Sequence, residues 1–178
     1  CNLADPEDIF SMTEGLQAAA IHVDILVNCA GVFPIKKIGD MDLGEYNECM
    51  GVNLTAPFLL IKEFSPHMIA NQWGRIINIA SSSAYGGSPT TSVYCASKHA
   101  LLGLSRSLFK ELKGDGVRVL CVSPGSIKTD MGREVEKLGQ DFDTFMEPAE
   151  VAQYIVYSSS FNGNLVSEEI KLNRVFTQ

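Results

Sequence analysis

The stretch IINIA at residues 76–80 is short, almost entirely apolar and followed by the serine-rich loop SSS at residues 81–83. Such a run is typical of a strand that is buried on both faces of a sheet. Apolar runs of the same kind stand at residues 25–27 and 117–122, and segments with helical periodicity separate the three runs. Strands that alternate with helices predict βαβ units and therefore an α/β fold with a doubly wound parallel sheet.

The helical segments have clear start signals, with Asp5 and Pro6 opening the first helix and Asp42 opening the second. Apolar residues recur with helical spacing from Leu43 to Met68 and predict one stripe that faces the core. The remaining predictions are a helix over residues 93–113, a polar segment over residues 130–145 that suits a mobile flap, a helix from residue 148 and a strand near residues 166–172.

The composition excludes several classes of protein. The 178 residues are 46% hydrophobic, too apolar for a disordered chain, and their number is typical of one domain. The net charge of −7 disfavours nucleic acid as a partner, and we expect no membrane span because no apolar run is long enough. The five cysteines form no CxxC pair and have no histidine at ligand spacing, which predicts free thiols, a cytoplasmic location and no metal site.

Tyr94 and Lys98 form the most informative pair of side chains in the sequence. Residues four apart at the start of a helix lie on one face, one turn apart. A nearby ammonium favours the phenolate, and moving a phenol pKa of about 10 to neutrality requires roughly 4 kcal/mol of differential stabilisation. The pair therefore suits general acid–base chemistry, although the same spacing also occurs on ordinary solvated helix faces.

Other motifs give this pair its context, and together they resemble the classical short-chain dehydrogenase/reductase family. The motifs stand in the family's order and are LVNCAG at residues 26–31, VNL at 52–54, Ser81 thirteen residues before Tyr94, YCASK at 94–98 and PGSIKT at 124–129. The resemblance covers nearly the whole chain and implies a Rossmann-like sheet.

The resemblance also implies catalytic roles for four residues. Tyr94 would give a proton to the carbonyl oxygen of the substrate, and Ser81 would hydrogen-bond the same oxygen. Lys98 would hold the ribose hydroxyls of the cofactor and lower the pKa of Tyr94. Asn53 would interrupt its helix locally and hold a water that relays protons to Lys98.

The implied cofactor is NAD or NADP, held by residues at the ends of several strands. Tyr94 and Lys98 contribute to this cofactor site as well. Asn28, Ala30 and Gly31 would line the adenosine side, where Asn2 would contact adenine at a position that usually holds Asp in the family. The nicotinamide would be positioned by four residues of one loop, Pro124, Gly125, Ile127 and Thr129.

Three departures from the family pattern qualify these expectations. The Gly-rich turn that binds the pyrophosphate does not occur in the chain, so residues 1–178 are expected to form a single, amino-terminally truncated dinucleotide-binding domain. The residue that would select NAD or NADP belongs to the same missing part. Without the first strand, the strand at residues 25–27 would be left as an apolar edge. Cys29 replaces the second Asn of the Asn-Asn-Ala-Gly motif, and the tail lacks the common Val-Asp-Gly-Gly ending.

The sequence therefore predicts an oxidoreductase that transfers hydride between a nicotinamide cofactor and a ketone or secondary alcohol. The alternative is a non-catalytic remnant of the fold that serves as an interaction module and binds no dinucleotide. The resemblance further implies a homo-oligomer that pairs through the helices near residues 43–68 and 93–113. A hydrolase with a serine nucleophile is disfavoured because the chain has no GxSxG motif.

Overall fold

The computed structural model describes residues 1–175, and its centre is a sheet of four parallel strands. The strands are β1 (Ile25–Asn28), β2 (Gly74–Ile79), β3 (Val117–Pro124) and β4 (Glu169–Leu172), paired in the order β1-β2-β3-β4. The helices are α1 (Pro6–Ala18), α2 (Leu43–Met50), α3 (Ala56–Ala70), α4 (Ser92–Leu112), α5 (Asp130–Glu136) and α6 (Pro148–Ser159). The predicted parallel α/β fold is confirmed.

Helices cover both faces of this sheet, as a doubly wound fold requires. Ile76 and Val119 are paired neighbours on one face, where they pack with residues of α1, α3 and α4. Leu120 and Val122 point to the other face, where Ile155 of α6 packs against them. Each central strand is therefore apolar on both faces, which explains why its sequence does not alternate.

The β1 strand is the edge of the described sheet and is less buried than its sequence predicts. Leu26 is buried under the α1 and α3 side of the sheet. Ile25 and Val27 point to the opposite face, where 53% and 48% of their surface is exposed because α6 covers only the strands further along. The expected apolar edge is thus present in the structure.

The predicted helix over residues 42–68 is divided into α2 and α3 by a π-helical turn at Gly51–Thr55. Asp42 and Glu45 form a capping box that begins α2. The expectation of one core-facing stripe is wrong, since Leu43 and Phe58 are 71% and 48% exposed whereas Met68 is buried. A π-turn holds one extra residue and shifts the following residues by about 100° around the axis, so the apolar faces do not align.

Residues 130–145, for which the sequence predicts a polar, mobile flap, contain the helix α5 and a short 3-10 turn at Phe142–Thr144. Thr129 caps α5 by accepting a hydrogen bond from the Gly132 N–H, at 3.1 Å. The segment that follows α5 is held by Gln140, whose side-chain oxygen accepts from Ser126 Oγ at 2.8 Å and from Arg174 at 3.0 Å. Among the described residues, no helix combines the length and apolar character needed to cross a bilayer.

Candidate active site

The segments that follow β1, β2 and β3 meet at the carboxyl edge of the sheet and line one cavity of about 380 Å³. This is the position at which open parallel sheets bind their ligands. The side of α4 that carries Tyr94 and Lys98 closes the cavity from one side, and α5 closes it from another. The wall includes Gly31, Phe33, Ser81, Tyr94, Lys98, Pro124, Gly125, Ile127 and Thr129.

Tyr94 lies in the first turn of α4, and its ring is buried. Phe33, in the segment after β1, packs edge-to-face on it with a distance of 4.6 Å between ring centroids. Ser81 follows β2 on the same cavity wall and accepts a hydrogen bond from the Ser83 N–H at 3.1 Å. This contact orders the start of the serine-rich loop and fixes Ser81 beside the cavity.

Lys98 lies one turn after Tyr94 and is 4% exposed. Its Nζ donates to the Ile79 carbonyl at 2.8 Å, at the end of β2. An ammonium carries three donors, so the donors beyond this bond can serve a ligand in the cavity. Burial lowers the pKa of Lys98 from its ordinary value of 10.5 to about 8.

Tyr94 has a pKa above its ordinary value of 10 because burial disfavours the phenolate, although the nearby Ser81 hydroxyl opposes this shift. The expected lowering of the pKa of Tyr94 by Lys98 stays a prediction. The ammonium bonds to the Ile79 carbonyl and stands 5.8 Å from the centroid of the Tyr94 ring.

Asn53 stands in the π-helical turn and is almost fully buried. Its side chain binds both backbone groups of Val32, accepting from the N–H and donating to the carbonyl at 2.9 Å each. The amide also donates to Ser97 Oγ of α4 at 3.0 Å. Asn53 thus fastens the segment after β1 to α4, and its predicted role in holding a water stays a prediction.

Asn28 lies inside the sheet rather than on the wall of the large cavity. Its Nδ2 donates to Asn78 Oδ1 at 2.7 Å, and Asn78 in turn donates to Ser105 of α4 at 2.9 Å. Neither Asn78 nor Ser105 was predicted as a functional residue, although an asparagine inside an apolar strand signals a buried polar partner. Asn28 and Ala30 line a second, smaller cavity of about 70 Å³ together with Leu3.

Asn2 is exposed and lines neither cavity. Its side-chain oxygen accepts from the Ala4 N–H at 3.1 Å in a local turn before α1. The structure therefore does not bring Asn2 together with the other predicted cofactor residues. Its neighbour Leu3 is the residue that reaches the smaller cavity.

The wall formed by residues 124–129 is built mostly from backbone. The Gly125 N–H donates to the Leu172 carbonyl at 2.8 Å, which ties this segment to β4. Ile127 bridges to Met146, and Thr129 stands at the exposed end beside α5. The segment is thereby held on both sides and presents the predicted nicotinamide contacts in one run.

The residues at the cavity fit the nicotinamide half of a dinucleotide. A Cβ added at Gly31 would lie 3.3 Å from Asn53 Oδ1 and 3.7 Å from Lys98 Nζ, so the glycine keeps the space beside the ammonium open. Lys98 would hold the ribose hydroxyls there. Within residues 1–175, no group of three or more His, Cys, Asp or Glu side chains is arranged to hold a metal ion.

Several apolar side chains on the cavity wall were not predicted as site residues. Four of them lie outside the β2 end, namely Phe33, Met131, Val135 and Leu138. Three of them belong to the segment at 130–145, where isolated apolar residues within a polar helix are the signal that could have identified them. They give the cavity an apolar side opposite the hydroxyl groups of the serine-rich loop.

Comparisons with known proteins agree with this geometry. The model of the short chain dehydrogenase family matches residues 1–138. The 3-oxoacyl-(acyl-carrier-protein) reductase FabG of Rickettsia conorii is 33% identical over 174 residues, which cover 94% of this chain and 70% of the relative.

Two solved structures extend the comparison to the fold. A 4-hydroxyisoleucine dehydrogenase complexed with NADH superposes with a TM-score of 0.87 at 30% identity, covering 98% of this chain and 78% of that one. A metagenomic short-chain oxidoreductase in complex with NADP gives a TM-score of 0.77 at 32% identity, covering 99% of this chain and 73% of that one. Both similarities extend over almost all of the present chain.

Proposed function

Because this chain belongs to the short-chain dehydrogenase family, we propose that Tyr94 is the general acid and base of its hydride-transfer reaction. The protein is an oxidoreductase that uses NAD or NADP. The substrate is a ketone in one direction and a secondary alcohol in the other. The observation that carries this proposal is the presence of Tyr94, Ser81 and Lys98 on the wall of one cavity.

The nicotinamide, when bound, supplies or accepts the hydride at the substrate carbon. The residues of this chain handle the oxygen. Ser81 donates a hydrogen bond to the carbonyl oxygen and polarises it, and Tyr94 transfers its phenolic proton to that oxygen as the alcohol forms. In the reverse direction, the tyrosinate takes the proton back from the alcohol.

Lys98 stabilises the tyrosinate that remains after proton transfer, because an ammonium favours a nearby negative charge. The Ile79 carbonyl fixes the ammonium at the end of β2, and burial keeps it away from competing water. Asn53 contributes by fastening the Gly31 segment against Lys98. We propose Pro124, Gly125, Ile127 and Thr129 as the nicotinamide contacts, and Asn28 with Ala30 as contacts on the adenosine side.

The test is the change Tyr94→Phe, which removes the hydroxyl and leaves the ring packed on Phe33. We expect turnover to fall by at least about 10²-fold, the usual contribution of a general acid or base, while cofactor binding survives. Turnover is measured by NAD(P)H absorbance, and binding is measured by NAD(P)H fluorescence. Activity within tenfold of the original protein would remove Tyr94 as the proton donor.

The exposed Tyr154 of α6 provides the matched control, since Tyr154→Phe removes the same hydroxyl far from the cavity. This control is expected to retain full turnover. If the unmodified protein binds neither NADH nor NADPH, the result would instead favour the non-catalytic interaction module.

We also propose a homo-oligomer that pairs through the helices near residues 43–68 and 93–113. The exposed apolar side chains on α2 and α3, among them Leu43, Tyr46 and Phe58, support this pairing. We also propose a cytoplasmic location, because all five cysteines are free thiols and free thiols are typical of a reducing compartment.

A further inference from the structure

The wall of the cavity around Tyr94 carries almost no charge. Phe33 and three side chains of the α5 region, Met131, Val135 and Leu138, supply much of its apolar part. Hydroxyl groups of the serine-rich loop supply most of the polar part. Among the residues that the structure describes, Lys98 is the only charged side chain on this wall, and the proposed function already assigns it to the tyrosinate of Tyr94.

The guanidinium of Arg174 lies behind this wall and is occupied by protein groups. It donates to Thr144 Oγ1 at 2.7 Å and to Gln140 Oε1 at 3.0 Å, and it lies 5.2 Å from the centroid of the Phe145 ring. Gln140 is the residue on the cavity wall, and its oxygen is turned toward Arg174 and Ser126. Arg174 therefore supports the wall and offers no anion contact inside it.

Three cations stand next to lining residues in the chain, and each contacts a carboxylate of the protein. The pairs are Lys128 with Glu147 at 2.6 Å, Arg133 with Glu136 at 3.0 Å and Lys137 with Glu134 at 2.6 Å. An anionic substrate would have to displace one of these carboxylates or enter the cavity without a counter-charge, and an unpaired buried charge is costly.

We propose that the site takes a small, uncharged ketone or secondary alcohol with an apolar chain, in preference to oxo acids and carrier-bound acyl groups. This inference rests on the proposed function. The cavity of about 380 Å³ is near the lower end of the range of about 300–1,000 Å³ for ligand sites, and the nicotinamide takes part of it.

The test compares three substrates with the purified protein. The first two are 2-heptanone and 6-oxoheptanoate, which have the same chain length and differ in the terminal methyl or carboxylate group. The third is an acetoacetyl thioester of coenzyme A or of acyl carrier protein. We expect kcat/KM to be at least about tenfold higher for 2-heptanone than for either anionic compound, which corresponds to about 1.4 kcal/mol.

A variant that reverses the preference tests the role of the wall itself. Leu138 is 46% exposed, so Leu138→Arg can place a guanidinium at the wall without burying it. We expect KM for 6-oxoheptanoate to fall about tenfold, as one charged hydrogen bond allows, while the Kd for NADH is unchanged. Val156→Arg is the control, since it adds the same charge at an exposed position of α6 that does not line the cavity, and it should leave this KM within about twofold.

The outcomes separate the two proposals. Faster turnover of 6-oxoheptanoate or of the thioester by the unmodified protein would overturn the substrate class and leave the proposed function intact. If Leu138→Arg shows the same preference between 2-heptanone and 6-oxoheptanoate as the unmodified protein, the proposed role of this wall in excluding anionic substrates would also be overturned. If NAD(P)H binds and no carbonyl compound is reduced, the proposed function fails and the substrate class fails with it.

Discussion

At the scale of single residues, the site depends on charged and polar groups that the fold removes from water. Lys98 shows the consequence most clearly, since burial lowers its pKa to about 8 while the unfolded chain keeps a value near 10.5. Between these two values the unfolded state binds one proton more than the folded state. Stability contributed by Lys98 therefore rises with pH across that window and is constant below it.

This sign gives a prediction for Lys98→Met, which keeps the length of the side chain and removes its charge. The original protein should become more stable relative to the variant as the pH rises. We expect the difference between their free energies of unfolding to increase by about 1–3 kcal/mol from pH 8 to pH 10.5. Urea unfolding at pH 7.5 and pH 10.5 measures the difference. The exposed Lys110→Met is the control, and an equal difference at both pH values for Lys98→Met would contradict the prediction.

Asn53 carries a second prediction, because four hydrogen bonds depend on its amide, one of them to Cys49 Sγ. Asn53→Ala would leave both backbone groups of Val32 and the Ser97 hydroxyl without this partner. We expect a loss of about 2–4 kcal/mol in the free energy of unfolding, measured in urea. Asn47→Ala, at an exposed position of α2, should cost less than about 1 kcal/mol.

At the scale of elements, the turns decide where the helices and strands stop. Gly116 joins α4 to β3 with a φ of +76°, and a Cβ there would overlap the Gln72 carbonyl oxygen. Both the left-handed backbone and the close approach therefore require glycine.

Gly116→Ala is expected to destabilise the protein by more than about 2 kcal/mol, because the strained backbone adds to the steric overlap. Gly114 is two residues away, and a Cβ there meets no atom within 4 Å. Gly114→Ala should change the melting temperature by only a few degrees. Equal melting temperatures for the two variants would show that the connection tolerates a side chain.

The elements also show which features local sequence predicts and which it does not. The helix starts at Asp5 with Pro6 and at Asp42 could be predicted because caps act over three or four residues. The misaligned faces of α2 and α3 were not, because the π-turn at Gly51–Thr55 is stabilised by contacts of Asn53 with a segment 21 residues away. Met131, Val135 and Leu138 were missed because they stand singly in a polar segment, and the cavity that they line is completed by segments distant in sequence.

At the scale of the whole molecule, the fold was predictable because three apolar strands of sufficient length are separated by helices. Most of the proposed site was predictable as well, since Ser81, Tyr94, Lys98 and the 124–129 loop meet at one cavity. Asn2 and Asn28 were predicted as cofactor contacts but do not line this cavity. The side chain of Asn2 is hydrogen-bonded in a local turn, and that of Asn28 is hydrogen-bonded to the buried amide of Asn78. Such hydrogen-bond partners depend on tertiary structure and do not appear in spacing patterns.

The proposed oligomer makes a prediction at this scale. Phe58→Glu places a charge on the exposed face of α3, so we expect a lower molar mass in solution, measured by light scattering after size exclusion. Tyr154→Glu introduces the same charge on an exposed position of α6 and serves as the control. An unchanged molar mass for Phe58→Glu would exclude that face from the pairing.

Thr129 connects the proposed nicotinamide loop to the apolar wall formed by α5, and this connection affects the affinities of cofactor and substrate. Its hydroxyl caps the helix that carries Met131, while its position ends the proposed nicotinamide loop. A cofactor amide that bonds to this hydroxyl therefore acts on the first turn of α5, and through it on the apolar wall. We expect heterotropic coupling between the two ligands, and by thermodynamic reciprocity each must change the affinity of the other by the same factor.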